Sequence, residues 1–290
     1  MKGHKFRKGH MTMIEFYKMS GSGNDFILID NRRRRVEERL GAGSVMEFVQ
    51  AVCTPRISLG ADGLILIQES ARADFSWRFF NADGSEVEMC GNGGRCAARF
   101  AFLLGIAPER MSFETGAGII DAEVRDNIVK LRLTDPGDLR IDETIAIGGR
   151  DYQVSSINTG VPHVVHYVDD LDACDVFSIG RDIRYHEHYR PRGTNANFVK
   201  VLAPGTIAVR TYERGVEDET LACGTGSVAA ALITAGKGLA SSPVDVRVKS
   251  GETLRIHFEQ TGAGFRNVYL EGKTAVICSG RLWPEAYARG

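Results

Sequence analysis

The sequence predicts an α/β (α+β) protein of two pseudo-symmetric domains made by internal duplication, each wrapping its strands around one central helix. Two observations carry this. The pattern Cys-Gly-x-Gly occurs twice, at Cys90-Gly91-Asn92-Gly93 and at Cys223-Gly224-Thr225-Gly226, each time running into an Ala-rich helical segment. The other turns recur in the same order at nearly the same offset. The two cysteines are 133 residues apart, and Gly105 and Gly238 each lie 15 after their cysteine. Gly60-Ala61-Asp62 lines up with Gly193-Thr194-Asn195, Arg78-x-x-Asn81 with Arg210-x-x-Glu213, and Gly23-Asn24 with Gly160-Val161. Turns and glycines repeated in order are the mark of a duplicated unit. Two such units leave a cleft between them, where ligands tend to bind.

Each element has its own warrant. Ile14 to Lys18 alternates apolar and polar residues, as a half-buried strand does. The turn from Ser20 to Phe26 leads into the apolar strand Ile27 to Asp30, and the basic run Asn31 to Arg35 reads as a solvated loop entering a helix. Val45 to Val52 reads as a helix ending before Pro55, and Gly60 to Gly63 as a turn into the strand Leu64 to Ile67. Phe75 to Phe80 is a strand, and the helix from about Gly91 to Leu104 stops at Gly105. Phe113 to Glu114, Ile119 to Val124 and Ile128 to Leu133 form a meander. Pro136-Gly137 breaks the pattern, so Asp135 to Arg140 is expected to cross between domains. The second half repeats the scheme. Its strands are Tyr152 to Asn158, His163 to Val168, Phe198 to Leu202 and Ile207 to Tyr212, its helix runs from Cys223 to about Ala235, and a second meander follows from Val244 to Glu271. Thr274 to Leu282 is the last strand. The expected divisions are 1–12 as a non-native or disordered extension, 13–135 plus 274–290 as the N-terminal domain, and 136–273 as the C-terminal domain.

Composition narrows the function classes. A chain of 290 residues is 43% hydrophobic and 25% charged with a net charge of −1, so nothing in the balance suggests nucleic acid or an anionic membrane as partner. No apolar run is long enough to span a bilayer and no secretory segment is visible, so a cytoplasmic location is expected. Six cysteines are too sparse for a disulfide scaffold and none form a Cys-x2-Cys pair, so no metal site is expected. No nucleotide fingerprint or Schiff-base lysine is evident, and no cofactor is expected. Cys53, Cys96, Cys174 and Cys278 read as packing residues.

The paired motif suits acid–base chemistry. A helix N-terminus exposes unpaired N–H groups and partial positive charge, and glycines after the cysteine let a ligand approach the backbone closely. Each turn should therefore lower its thiol pKa from about 8.5 and offer a site for a carboxylate. Two such turns facing each other would grip one α-carboxylate and present one sulfur to each face of the adjacent carbon. That arrangement inverts a stereocentre: one thiolate removes the α-proton and the opposite thiol returns one. His163 and Glu213 gain weight from the repeat. His163 follows the turn equivalent to Gly23-Asn24, and Glu213 mirrors Asn81, so both should line the cleft.

Seven blocks in order resemble the diaminopimelate epimerase family from Met13 onward. They are Ser22 to Phe26, Gly60 to Gly63, Phe80 to Ser85, Cys90 to Arg95, Gly160 to His163, Asn195 to Phe198, and Tyr212 to Gly215 leading to Ala222 to Gly226. The resemblance implies a strongly curved, mainly antiparallel sheet around each central helix, and PLP-independent interconversion of LL- and meso-2,6-diaminopimelate in lysine and peptidoglycan precursor synthesis. It implies Cys90 and Cys223 as the acid–base pair, with His163 and Glu213 tuning the thiols. It implies Asn24, Asn81, Asn195, Glu213 and Arg214 as substrate ligands, with Gly91-Asn92 and Gly224-Thr225 as backbone cradles for the reactive carboxylate. A homodimer is implied as well. Two positions depart from the family pattern. Many members have Gly-Asn-Pro-His where this chain has Gly160-Val161-Pro162-His163, and some have a substrate-contacting Gln where it has Gly63. Two other readings stay open: a proline racemase or hydroxyproline epimerase using the same cysteine pair, and a non-catalytic binding module.

Overall fold

A computed structural model describes residues 13–262 and 264–288. The segment 1–12, expected to be an extension, lies outside them. The first half begins with the hairpin β1 (Ile14–Gly21) and β2 (Asn24–Asp30), then two short helices, α1 (Arg35–Leu40) and α2 (Val45–Cys53). Strands β3 (Gly63–Gln68), β4 (Phe75–Asn81) and β5 (Glu86–Val87) lead to α3 (Gly91–Leu103), and the meander β6 (Arg110–Thr115), β7 (Gly118–Arg125), β8 (Ile128–Arg132) closes the unit. The second half runs β9 (Gly137–Ile147), β10 (Arg150–Asn158), β11 (Pro162–Tyr167), α4 (Val176–Tyr185), β12 (Asn195–Ala203), β13 (Thr206–Glu213) and β14 (Asp218–Thr220). It continues with α5 (Gly224–Gly236), β15 (Val244–Val248), β16 (Thr253–Thr261), β17 (Gly264–Lys273) and β18 (Ala275–Leu282).

The duplication is visible in the ladders. In the first half β2 runs parallel to β3, with Leu28 opposite Ile65, and β3 runs antiparallel to β4, with Ile65 opposite Phe79. In the second half β11 runs parallel to β12, with Val165 opposite Asn197, and β12 runs antiparallel to β13, with Asn197 opposite Thr211. The mainly antiparallel sheet follows from the hairpins, and the parallel pairs mark the crossovers: β2–β3 and β11–β12 span α2 and α4, while β4–β6 and β13–β15 span α3 and α5.

Both faces of these strands are covered, which explains their near-continuous apolar runs. Phe26, Leu28, Ile65, Ile67 and Phe79 pack on the α3 side, with Cys96, Ala97 and Phe100. Their alternates Ile27, Ile29, Leu64, Leu66 and Phe80 pack outward against Phe48, Val49 and Val52 of α2. The second half repeats this: Val165, Val199 and Val209 face α5, while Val164, Phe198 and Tyr212 face Val176 and Ile183 of α4. Helix α5 is buried on every side from Gly226 to Ala235, so small residues fill it.

Three elements differ from the sequence expectation. Helix α4 has no predicted counterpart, although Val176, Ile179 and Ile183 lie at helical spacing and Asp175 caps the end by accepting from the Ser178 amide at 3.0 Å. The expected crossing from Asp135 to Arg140 is already strand from Gly137. Asp138 and Asp142 take positive φ values of 53° and 57°, and the β9–β10 register shifts, which erases the alternation a strand would show. Cys278, expected to pack inside, is exposed on β18. That last strand pairs with β1, and β17 pairs with β8, so the two halves share hydrogen-bonded edges.

Candidate active site

Each reactive turn is the end of a strand-to-helix link. Cys90 and Cys223 are the N-cap residues of α3 and α5, both in extended conformation. The first N–H groups of each helix have no intrahelical acceptor. A Cβ at Gly91 and a Cβ at Gly224 would each lie 3.2 Å from the same atom, Leu270 Cδ2, and the latter would also lie 3.7 Å from Asn92 Oδ1. The helix N-termini therefore face each other across one methyl group.

The thiols have donors beside them. Amides of Gly93 and Asn92 lie near Cys90 without forming a cap bond to its sulfur, whereas Gly226 N donates to Cys223 Sγ at 3.4 Å. The expectation of lowered thiol pKa values is nevertheless overturned. Burial pushes Cys90 up, with the amides and Arg95 only partly offsetting it. Burial and the adjacent Glu213 carboxyl push Cys223 up to about 12. Desolvation of a thiolate outweighs a few backbone donors. Glu213 is itself raised by burial and accepts from Thr220 Oγ1 at 2.9 Å. All six cysteines are free.

His163 lies at the start of β11, 1% exposed, with Nε2 3.0 Å from Thr225 Oγ1 and Nδ1 3.2 Å from Asn197 Nδ2. Thr225 Oγ1 is 3.6 Å from Cys223 Sγ, so His163 reaches the sulfur through a hydroxyl rather than directly. Burial, with Arg214 nearby, lowers the imidazole pKa to about 3. The ring stays neutral in the folded state near neutral pH. Because its folded pKa lies below the unfolded value, its contribution is complete above pH 6.5 and is lost as pH falls from there toward 3. We expect unfolding free energy to drop by about 1.4 kcal/mol per pH unit below 6.5 on account of His163. Denaturant titrations should show this slope reduced in His163→Gln. An identical slope in both would refute a buried neutral His163.

The remaining candidates are Asn24, Asn81, Asn195 and Arg214. Asn24 Nδ2 donates to Asp62 Oδ2 at 2.9 Å, and Asn24 Oδ1 accepts from Asn92 Nδ2 at 2.7 Å. Asn81 is exposed beside them, opposite Gly63 in the ladder and bonded to Ser85 Oγ at 3.3 Å. Asn195 is largely committed to structure. Its Nδ2 donates to the Pro162 carbonyl and its Oδ1 accepts from the Arg214 amide at 2.8 Å, which fixes where Arg214 leaves β13. The Arg214 guanidinium touches only the Arg192 carbonyl, at 3.2 Å, with no carboxylate against it among the described residues. Gly63 cannot stand in for a longer side chain, because a Cβ there would lie 2.5 Å from the Phe80 carbonyl oxygen.

Two buried polar residues of the site were missed. Arg95 is fully buried, and its Nη2 donates to Ser22 Oγ at 2.5 Å and Asn92 Oδ1 at 3.0 Å. Its position three after Asn92 puts both on one helix face, a usable signal. Asn197 lies two after Asn195 in a strand and so shares its face. Elsewhere, a recess of about 710 Å³ lined by Tyr152, His166, Asp170 and Cys174 lies outside the cysteine cleft.

The diaminopimelate epimerase family model matches the chain over residues 16–137 and 155–276. The diaminopimelate epimerase of Aquifex aeolicus is 47% identical, covering 94% of this chain and 99% of that one. The diaminopimelate epimerase of Archaeoglobus fulgidus is 44% identical, covering 93% and 96%. Among solved structures, a Bacillus anthracis phenazine biosynthesis protein of the PhzF family superposes with a TM-score of 0.72 at 16% identity, covering 94% of this chain and 100% of that chain. A hydroxyproline epimerase from Agrobacterium vitis superposes at 0.68 and 13% identity, covering 94% and 93%. At such identities these structures show a shared fold.

Proposed function

The chain belongs to the diaminopimelate epimerase family of isomerases, and from that premise we propose that it converts LL-2,6-diaminopimelate to the meso form with Cys90 and Cys223 as opposed acid and base. The observation that carries the reading is the meeting of two cysteine-capped helix N-termini at one point, the Leu270 methyl.

The substrate's reactive carboxylate docks on the unpaired N–H groups that begin α3 and α5, around Gly91-Asn92 and Gly224-Thr225. Negative charge that develops at the α-carbon spreads onto that carboxylate, where the same groups stabilise it. With burial holding both thiols neutral, one must lose its proton to solvent before it can act as base, and the α-ammonium of the bound amino acid favours that thiolate. One sulfur then takes the α-proton and the other delivers its own to the opposite face. Arg214, lacking an acidic partner, binds the distal carboxylate in fork geometry. Asn24, Asn81, Asn195 and Glu213 line the approach to the distal ammonium. Val161 offers no polar side chain there, so the distal end relies on Arg214 and the asparagines. These features favour a substrate with two amino-acid heads over proline.

Turnover in deuterium oxide tests both parts. LL-diaminopimelate should be converted, and the inverted carbon should carry solvent deuterium from the first turnover, because the returning proton comes from the second thiol. Turnover of proline alone would overturn the substrate assignment. Return of the substrate's own proton would overturn the two-base mechanism.

A further inference from the structure

We propose that Asn197 is a positioning residue that fixes the neutral tautomer of His163 and, through it, aims the Thr225 hydroxyl proton at Cys223. The argument starts from the amide orientation. Asn197 Oδ1 accepts from Thr211 Oγ1 at 2.9 Å, and Asn197 Nδ2 donates to the Val164 carbonyl at 2.8 Å. A carbonyl oxygen accepts only, so the NH2 end of the amide must face Val164. Its second hydrogen then points at His163 Nδ1, which must accept. The ring proton is left on Nε2 and donates to Thr225 Oγ1. The Thr225 hydroxyl, already accepting from His163, has Cys223 Sγ as the recorded partner for its own hydrogen. Asn197 and His163 are each 1% exposed, so water does not compete for these groups.

The duplicated fold supplies an internal control. The positions equivalent to His163, Asn197 and Thr211 are Phe26, Ile65 and Phe79, by the matched ladder registers. The contacts agree. A Cβ at Gly226 would lie 2.3 Å from Asn197 Oδ1, and a Cβ at Gly93 would lie 3.3 Å from Ile65 Cδ1 and 3.6 Å from Phe26. The turn of Cys90 thus rests on an apolar floor and the turn of Cys223 on a polar one. The network makes the two sulfurs chemically unequal in an otherwise symmetric cleft, giving Cys223 a hydroxyl donor. The ionisable groups facing Cys223 are Glu213 from β13 and Cys90 from the turn before α3, with His163 acting only through Thr225 and Arg214 facing His163.

This deepens the proposed reaction, but its first two tests need no substrate, so they fail or succeed separately from it. Long-range proton–nitrogen spectra of the wild-type protein, assigned with His163→Gln, should place the His163 proton on Nε2. A proton on Nδ1 overturns the proposal. Alkylation mapped by mass spectrometry should show Cys223 reacting about tenfold more slowly at neutral pH in Thr225→Val, the loss of one hydrogen bond to a charged sulfur. Thr225→Ser should restore the rate, and Cys90 should be unaffected. Asn197→Asp should move the ring proton to Nδ1 and slow Cys223 similarly, and the double variant Asn197→Asp with Thr225→Val should be no slower than either single one. Additive losses, or an unchanged Cys223 profile in Thr225→Val, would overturn it. With substrate, these variants should lower kcat about tenfold and leave KM within about twofold.

Discussion

Cys90→Ala and Cys223→Ala should each lower epimerisation by at least about 10³-fold while leaving the fold intact. In the proposed mechanism each substitution removes one of two proton-transfer groups, and such a group contributes roughly 10²–10⁴-fold. The carboxylate cradle of backbone N–H groups survives, so KM should change far less than kcat. The structural cost is small. Cys223 loses its bond from Gly226 N, a cap worth about 1 kcal/mol, and Cys90 is only partly buried. The two variants should also differ from each other. A sulfur left on one face can still exchange the α-proton of the stereoisomer that presents its hydrogen to that face, without inverting it. Cys90→Ala and Cys223→Ala should therefore wash solvent deuterium into opposite stereoisomers. Measured by mass spectrometry of recovered substrate, near-wild-type epimerisation in either variant would dismiss the paired-thiol scheme, and exchange into the same isomer would dismiss the two-face geometry.

Arg95→Met should separate stability from activity. Arg95 is a fully buried guanidinium that forms no ion pair among the described residues, with Glu252 only a more distant charge, and its Nε has no hydrogen-bond partner there. Keeping such a charge dry is expensive, and an apolar side chain of similar length is often neutral or stabilising at such a site. What the charge does is local to the chemistry. It opposes the burial that raises Cys90, and through Asn92 Oδ1 it orients the amide that reaches Asn24. The melting temperature should stay level or rise, while kcat/KM should fall about 10²-fold from a less populated Cys90 thiolate together with a loosened carboxylate cradle. Thermal melts and steady-state kinetics decide it. Activity within about twofold of wild type would show that Arg95 only fills space.

Much of this was readable beforehand because duplication doubles every signal. One Cys-Gly-x-Gly turn is ambiguous, but two in register with Gly105 and Gly238 point to the helices, the meanders and the nearness of the two cysteine-bearing turns. Helix α4 escaped because its apolar positions are diluted by Ser178, Arg181, Asp182 and Arg184, although its counterpart α2 lies at nearly the repeat offset. The sign of the thiol shift escaped for a different reason. A helix N-terminus is a local feature visible in the chain, whereas desolvation depends on what closes over the sulfur, and Leu270 is far away in sequence. Asn197 and Arg95 were hidden likewise. An Asn in a strand and an Arg in a helix look solvated until both faces of the element are seen to be covered.

The pairing of Ile14 with Leu282 sets a timing problem for biosynthesis. Strand β1 emerges from the ribosome first and finds β2 almost at once, but its other edge waits for β18. Translation at about 5–20 residues per second leaves that edge bare for tens of seconds. Throughout that interval the nascent first unit can assemble around α3 yet exposes an unpaired template to neighbouring chains on the same polysome. The candidate cleft is held to the same schedule, since Leu270 and the shared β8–β17 edge arrive only after both helices have been made. Both helix N-termini thus wait for a residue made after them before they meet at one point.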